Sequence, residues 1–150
     1  MLDLIIKNGS CYIDKDLKNY DIAIKDSKIV EIGKIDQEAK EIFDAKGLTV
    51  LPGCIDTQTH FREPGSTDTE DLHSGSRAAI AGGITSVFEM PNTNPPTSTK
   101  VEFQKKLDLA KNRMYCNYAF YFGATADNAN ELADLKNLEG CCGIKLFAGS

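Results

Sequence analysis

The chain has 150 residues, of which 41% are hydrophobic and 26% charged, a composition typical of a globular protein rather than a disordered one. Seventeen Lys and Arg against twenty-two Asp and Glu give a net charge of −5, and no basic run exceeds two residues, which argues against nucleic-acid binding. No apolar stretch approaches the ~20 residues of a membrane span. The N-terminus lacks a signal-peptide pattern, so we expect a cytoplasmic protein without membrane contacts.

The cysteines support the same expectation. They are odd in number, and no two have the C-x-x-C spacing of thiolate metal sites. The five are Cys11, Cys54, Cys116, Cys141 and Cys142. This pattern predicts buried, reduced thiols rather than a disulfide framework.

Residues 1–50 have the pattern of a small β module. Leu4 to Ile6 form an apolar run, and Asp21 to Val30 alternate between polar and apolar side chains. Asp26 and Ser27 interrupt that alternation, which predicts a hairpin turn. Residues 40–50 supply a further extended segment.

Residues 51–150 change to strands that alternate with helices. The predicted strands are Val50–Thr57, Ile84–Met90, Met114–Phe122 and Cys141–Phe147. The predicted helices begin at the capping patterns Thr67-x-x-Glu70, Thr99-x-x-Glu102 and Asn128-x-x-Glu131. A repeat of about thirty residues is typical of an α/β fold with a parallel sheet. Spacing alone leaves open a doubly wound sheet or four strands of a (β/α)₈ barrel, which typically needs ~250 residues.

Polar side chains accumulate where the first of these strands ends. Asp56, Gln58, His60 and Arg62 would share one face of an extended strand, because side chains alternate with a period of two. Four hydrogen-bonding groups in register indicate a binding site, the alternative being a polar cluster that is satisfied internally. His60, Arg62 and Asn92 also follow predicted strand ends, the face that carries the active site of a barrel.

Several segments in chain order resemble the dihydroorotases of the cyclic amidohydrolase superfamily. Residues 56–65 read DTQTHFREPG, residues 75–79 GSRAA and residues 81–85 AGGIT. Residues 90–95 read MPNTNP, and residues 143–147 read GIKLF. The resemblance covers essentially the whole chain. It implies that residues 1–50 are half of a small β-sandwich and residues 51–150 the first half of a metal-bearing (β/α)₈ (TIM) barrel.

The resemblance also implies roles for four residues. His60 would be a zinc ligand next to the substrate, Arg62 would bind the substrate carboxylate, and Asn92 would be a substrate-binding amide. Lys145 lies in an apolar run, where a lysine is rarely buried unless it is paired or modified. It would be a carboxylated metal ligand, the alternative being a lysine that reaches out past the strand end. The aspartate base of the family and two further histidine ligands fall beyond Ser150. We therefore expect the 150-residue segment alone to be inactive.

Gln58 departs from the family pattern, which has a histidine there. An amide oxygen is a much weaker zinc ligand than imidazole, so the number of zinc ions is one or two. Three interpretations remain open: a one-metal subfamily, a rearranged ligand set and a degenerate homologue. The other histidine, His73, has no metal-ligand spacing to His60 and is expected at the surface.

The function that the resemblance implies is zinc-dependent, reversible cyclisation of N-carbamoyl-L-aspartate to dihydroorotate in pyrimidine biosynthesis. The alternative is a catalytically degenerate scaffold that binds aspartate transcarbamoylase, and homodimers are a further expected association. A hydantoinase or allantoinase is disfavoured by Arg62, because those relatives are not expected to carry arginine at that place.

Overall fold

The computed structural model of the chain describes residues 1–149, which form two compact units divided between Pro52 and Gly53. Among the described residues, no helix is both long and apolar enough to cross a membrane. Each unit has its own sheet.

The first unit is a five-stranded sheet. Its strands are β1 (Leu2–Ile13), β2 (Asp16–Lys25), β3 (Lys28–Gly33), β4 (Ala39–Asp44) and β5 (Thr49–Val50). The order is β3-β2-β1-β4, with β5 also paired to β1. β1, β2 and β3 are antiparallel neighbours, whereas β4 and β5 run parallel to β1. The predicted hairpin is confirmed, because Asp26 and Ser27 have φ values of 50° and 61°, the left-handed pair that a tight two-residue hairpin turn requires.

The second unit alternates strands and helices around a parallel sheet. Its elements are β6 (Cys54–Thr59), α1 (Leu72–Ala81), β7 (Ile84–Glu89), α2 (Lys100–Ala110), β8 (Asn117–Gly123), a 3₁₀ helix (Ala129–Asn137) and β9 (Cys141–Lys145). The sheet order is β6-β7-β8-β9. All neighbouring pairs are parallel. The predicted α/β class is confirmed, and four parallel strands are what the first half of a barrel would contain.

An aromatic core fills the space beneath this sheet. Phe103 from α2 contacts Phe120 and Phe122 from β8, at ring-centroid distances of 6.3 and 6.0 Å. Leu72 from α1 and Val87 from β7 are fully buried in the same cluster. Both helices therefore pack against the parallel strands through this cluster.

Of the first two helices, α2 begins where its capping pattern predicts and α1 does not. Thr99 is the N-cap of α2, where its hydroxyl accepts the Glu102 N–H (3.1 Å). The predicted start of α1 at Thr67 is wrong, because the Thr69 N–H donates to the Ser66 carbonyl in a turn (3.1 Å). Asp71 is the N-cap instead, and its carboxylate accepts the backbone N–H of Ser74.

The third predicted helix is a 3₁₀ helix, and Asn128 does not cap it through its side chain. The Asn128 amide bonds backbone groups elsewhere: its oxygen accepts the Thr125 N–H, and its nitrogen donates to the Ser98 and Gly123 carbonyls (2.8 Å each). The buried Asn128 therefore ties the segment after β8 to the start of α2.

Candidate active site

Two adjacent strand ends bring the candidate residues together. The loop after β6 carries His60 and Arg62, and the loop after β7 carries Asn92. Backbone hydrogen bonds join these loops, with the Met90 N–H donating to the Thr59 carbonyl and the Asn94 N–H to the Pro64 carbonyl (2.9 Å each). The two loops therefore form one structure at the carboxyl ends of parallel strands, where α/β proteins bind their ligands.

His60 and Asn92 are in direct contact. The imidazole Nδ1 lies 2.8 Å from the Asn92 side-chain oxygen, which can only accept a hydrogen bond. A hydrogen bond between these atoms needs the proton on Nδ1, and in that tautomer the lone pair of Nε2 is free to bind a metal ion. Asn92 itself is exposed and His60 half-buried, so both are accessible to a ligand.

The extended alternation predicted from Asp56 to Arg62 does not continue that far. β6 ends at Thr59, so only Asp56 and Gln58 of the four predicted residues lie on the strand. Arg62 adopts a left-handed conformation with φ of 62°, which turns the chain away from the strand direction. A bulky residue is uncommon in that region, and such backbone strain is concentrated at functional sites. The Arg62 side chain is exposed at this turn.

Gln58 occupies an exposed position on β6, two residues before His60. Its backbone N–H donates to the Asp56 carboxylate (2.9 Å). Its side chain offers an amide oxygen as its only acceptor, which carries no charge and binds zinc weakly.

Glu63 anchors the loop behind Arg62 and was missed by the sequence analysis. Its buried carboxylate accepts hydrogen bonds from both terminal nitrogens of the Arg113 guanidinium, at 2.7 and 3.1 Å. It also accepts the Leu72 N–H at the first turn of α1 (2.9 Å). The carboxylate of Glu63 raises the pKa of the Arg113 guanidinium, chiefly through this hydrogen bonding. No local pattern pairs residues fifty positions apart.

A second acidic residue, Glu89, lies buried at the end of β7, where it pairs with Lys106 of α2. Burial raises the pKa of the Glu89 carboxyl to about 7, although the Lys106 charge opposes the shift. Burial likewise lowers the pKa of Lys106. The sequence holds a signal for this pair, because Lys106 stands three residues after Phe103 and four before Ala110, on the apolar stripe of α2.

Lys145 is the last residue of β9 and is half-buried rather than buried as expected. Its carbonyl accepts the Ala124 N–H (2.8 Å), and its ammonium lies 5.1 Å from the centre of the Phe147 ring. β9 is at the opposite edge of the sheet from β6. His60 therefore follows the first of the four strands, and Lys145 ends the last.

The donor set of this segment is incomplete for a metal ion. Residues 1–149 contain no group of three or more His, Cys, Asp or Glu side chains that could hold one. His60 fits as a single ligand because its Nε2 lone pair is available, whereas the Lys145 ammonium would fit only after conversion to an anionic carbamate. Both residues can therefore serve a metal only as parts of a larger donor set.

The remaining sequence predictions concern residues away from this cluster. His73 is exposed on α1, as predicted, and its ring contacts Tyr115 edge-on with centroids 5.2 Å apart. All five cysteines are free, but only Cys11 and Cys116 are buried, and Cys54 is exposed.

Comparison with known proteins places this geometry in a family. Residues 49–141 match the model of the Amidohydrolase family, and the chain belongs to that family. Members of the family typically bind metal ions. The match includes β6, both site loops and α2.

The similar proteins include allantoinases and hydantoinases. The chain is 40% identical over 149 residues to an allantoinase of Escherichia coli O1:K1, covering 99% of this chain and 33% of the relative. An L-hydantoinase (dihydropyrimidinase) of Arthrobacter aurescens superposes with a TM-score of 0.86 at 32% identity, covering 96% and 32% of the two chains. A D-hydantoinase of Bacillus sp. AR9 gives 0.76 at 29% identity, covering 93% and 31%. The chain thus spans about a third of the length of these relatives.

Proposed function

We propose that the full-length protein carrying this chain is a cyclic amide hydrolase of the dihydroorotase type. It would open the ring of dihydroorotate to N-carbamoyl-L-aspartate and catalyse the reverse cyclisation, a step of pyrimidine biosynthesis. The observation that carries this proposal is the contact of His60 with Asn92 beside the exposed, left-handed Arg62.

Arg62 is the residue that selects the substrate in this proposal. A planar guanidinium donates two parallel hydrogen bonds to a carboxylate, and dihydroorotate bears one on its ring. The Asn92 oxygen is engaged by His60, which leaves its amide nitrogen to donate to the same carboxylate. The two loops would therefore orient the ring by its charged substituent.

His60 and Lys145 are the residues of this chain proposed to hold zinc, His60 through Nε2 and Lys145 as a carbamate. A bound zinc ion supplies Lewis acidity for the amide carbonyl and lowers the pKa of a water molecule. The weak donor at Gln58 favours one ion at full occupancy over two. The proton that the departing ring nitrogen requires is assigned to an aspartate beyond Ser150.

A second candidate function is hydrolysis of a hydantoin-type ring. It is favoured by the 40% identity to an allantoinase and by the superposition on hydantoinases. Their substrate rings carry no carboxylate of the dihydroorotate kind, so Arg62 would have no partner in this alternative.

Turnover of dihydroorotate and allantoin by the same full-length preparation, with zinc content measured in parallel, separates these functions. We expect ring opening of dihydroorotate, with about one or two zinc ions per chain. Turnover of allantoin alone would establish the second function. Zinc-free protein that turns over neither substrate, even with zinc added, would contradict both and favour a scaffold for aspartate transcarbamoylase.

A further inference from the structure

Arg62 is an exposed residue between two buried ones. Phe61 is 6% exposed and belongs to the core cluster of this unit, and Glu63 is also 6% exposed. The Arg62 backbone lies in the left-handed region, with φ of 62°, and its carbonyl accepts the Ser66 N–H (3.0 Å). A residue other than glycine keeps such a conformation only where its surroundings impose it. The contacts of Phe61 and Glu63 therefore decide whether Arg62 keeps this conformation.

Glu63 is held by two helices at once. Its Oε2 accepts the Leu72 N–H of α1 (2.9 Å), and its two oxygens accept hydrogen bonds from the two terminal nitrogens of Arg113, which follows α2. The last turn of α2 fixes Arg113 in turn, because its Nη1 donates to the Leu109 carbonyl and its backbone N–H to the Ala110 carbonyl (3.0 Å each). A bidentate pair of this kind fixes orientation as well as distance.

Phe61 is held by packing on the other side of Arg62. A Cβ on Gly75 of α1 would lie 2.5 Å from the Phe61 ring, so this helix leaves the ring no room to move toward it. The two anchors are only two residues apart, and each residue has just two soft backbone dihedral angles. The φ and ψ angles of Arg62 are therefore the main freedom left between the anchors. Release of Glu63 would let Arg62 relax to a negative φ, which a bulky residue prefers.

We propose that Glu63 and Arg113 are positioning residues that hold Arg62 in its left-handed conformation and thereby set the preference of the site for a ring that carries a carboxylate. The preference rests on the proposed function, whereas the holding of Arg62 is a property of the free protein. A guanidinium that binds a carboxylate through two parallel hydrogen bonds tolerates little misplacement. A change at Glu63 or Arg113 should therefore act on this class of substrate above all.

The kinetic test compares the full-length wild type with Glu63→Gln and Arg113→Lys. The first variant keeps the shape of the side chain but leaves one amide oxygen for three donors, and the second keeps the charge but loses the planar fork. KM and kcat are measured for dihydroorotate and for dihydrouracil, the same ring without the carboxylate. We expect the KM for dihydroorotate to rise and the preference for it in kcat/KM to fall by about 10-fold in both variants. Turnover of dihydrouracil should change by less than about 2-fold.

A double-mutant cycle separates positioning from a general loss of structure. If Glu63 acts through Arg62, adding Glu63→Gln to Arg62→Met should leave the remaining preference unchanged. The matched control, Glu102→Gln, removes a carboxylate that pairs with Lys105 on α2 (2.8 Å) and should keep the wild-type preference. Folded Glu63→Gln and Arg113→Lys proteins that keep the wild-type preference, or that lose turnover of both rings equally, would overturn the proposal. So would a further loss of preference in the Arg62→Met background.

Hydrogen exchange of the substrate-free protein tests the loop itself. Peptides that cover residues 60–72 should take up deuterium faster in Glu63→Gln and Arg113→Lys than in wild type, and at the wild-type rate in Glu102→Gln. Faster uptake in both variants, in a protein whose wild type turns over no ring bearing a carboxylate, would support the holding of Arg62 and overturn only the proposed function. Unchanged uptake in both variants would overturn the positioning role.

Discussion

The two units differ in where they place polar side chains. Within residues 1–149 every buried polar or charged side chain lies in the second unit, among them Glu63, Glu89 and Lys106. The ion pairs of the first unit lie at the surface, as in Lys40 with Asp3 (2.6 Å), and so does the contact of Asn8 with Asp44 (2.9 Å).

We interpret this difference as a division of roles, with the candidate site in the second unit. Burying a charge is costly unless it is paired and hydrogen-bonded. The Glu63 carboxylate is hydrogen-bonded by Arg113 and by the Leu72 N–H, and Glu89 is paired with Lys106. The buried charged side chains are Glu63 in the loop after β6, Glu89 at the end of β7 and Lys106 on α2. The first unit, a mixed sheet, has no buried polar or charged side chain among the described residues.

The largest effect is expected from His60→Gln, which should lower turnover of the cyclic amide by about 10³-fold. The reason is that a bound metal contributes several kcal/mol of transition-state stabilisation, and His60 is the imidazole available to hold it in this segment. His73→Gln, at an exposed helix position, is the control and should keep wild-type turnover. Steady-state kinetics and zinc content of both variants make the comparison. Equal losses in both would contradict the assignment of the site.

A smaller effect is expected when a Cβ is added to a tightly packed glycine, and the outcome should differ between the candidate site and the first unit. A Cβ on Gly75 would lie 2.5 Å from the Phe61 ring, whereas one on Gly9 would lie 2.6 Å from a Val50 methyl group. In Gly75→Ala the gain in helix propensity of about 1 kcal/mol offsets part of the overpacking, so we expect a net loss of about 1–2 kcal/mol in stability.

Because Phe61 adjoins His60, Gly75→Ala should also reduce turnover, whereas Gly9→Ala should lower stability and leave kcat unchanged. Urea unfolding and kinetics on both variants provide the check. Full turnover in Gly75→Ala would mean that Phe61 does not position the site.

The smallest effect concerns the response of stability to pH, which should have opposite signs for carboxylates of the two units. The raised pKa of Glu89, about 7 against an ordinary 4.5, means that the folded state keeps a proton that the unfolded chain has released. Its contribution to the free energy of unfolding therefore falls as pH rises from about 4.5 to about 7. Glu89→Gln should lack that slope.

Asp3 behaves in the opposite way. Hydrogen bonds from Lys40 and the Asp26 backbone lower its pKa below 3.8, so its contribution is present above that pH and is lost as pH falls further. Urea unfolding between about pH 3 and 8 measures the free energy of unfolding of both variants. Glu89→Gln should lack the fall in stability between about pH 4.5 and about pH 7, and Asp3→Asn should lack the loss of stability below pH 3.8. Parallel pH profiles for wild type and both variants would refute this account.

Local patterns were sufficient to predict most of the fold. The alternation in β2, the turn at Asp26 and Ser27 and the strand–helix rhythm after Gly53 all depend on neighbours in sequence. The helix start at Thr99 was predictable for the same reason. The identical spacing at Thr67 failed because a turn engages that segment and Asp71 offers a cap closer to the apolar residues of α1.

The candidate site was predictable only in part. His60, Arg62 and Asn92 were expected at neighbouring strand ends, and the structure joins His60 to Asn92 directly. The supporting pairs, Glu63 with Arg113 and Glu89 with Lys106, were missed because their partners come from distant segments and only tertiary packing brings them together. The left-handed turn at Arg62 was missed because residue type gives no indication of it.

The central claim is that Arg62 selects a ring bearing a carboxylate, and a matched pair of substrates tests it most directly. Dihydroorotate and dihydrouracil share one ring and differ by the carboxylate alone. The measurement is kcat/KM for both in wild type and Arg62→Met. We predict that wild type favours dihydroorotate and that the variant lowers this preference by about 10- to 100-fold, the worth of a charge-assisted hydrogen bond of about 1.5–3 kcal/mol. An unchanged preference in Arg62→Met, or a wild type that favours dihydrouracil, would contradict the account.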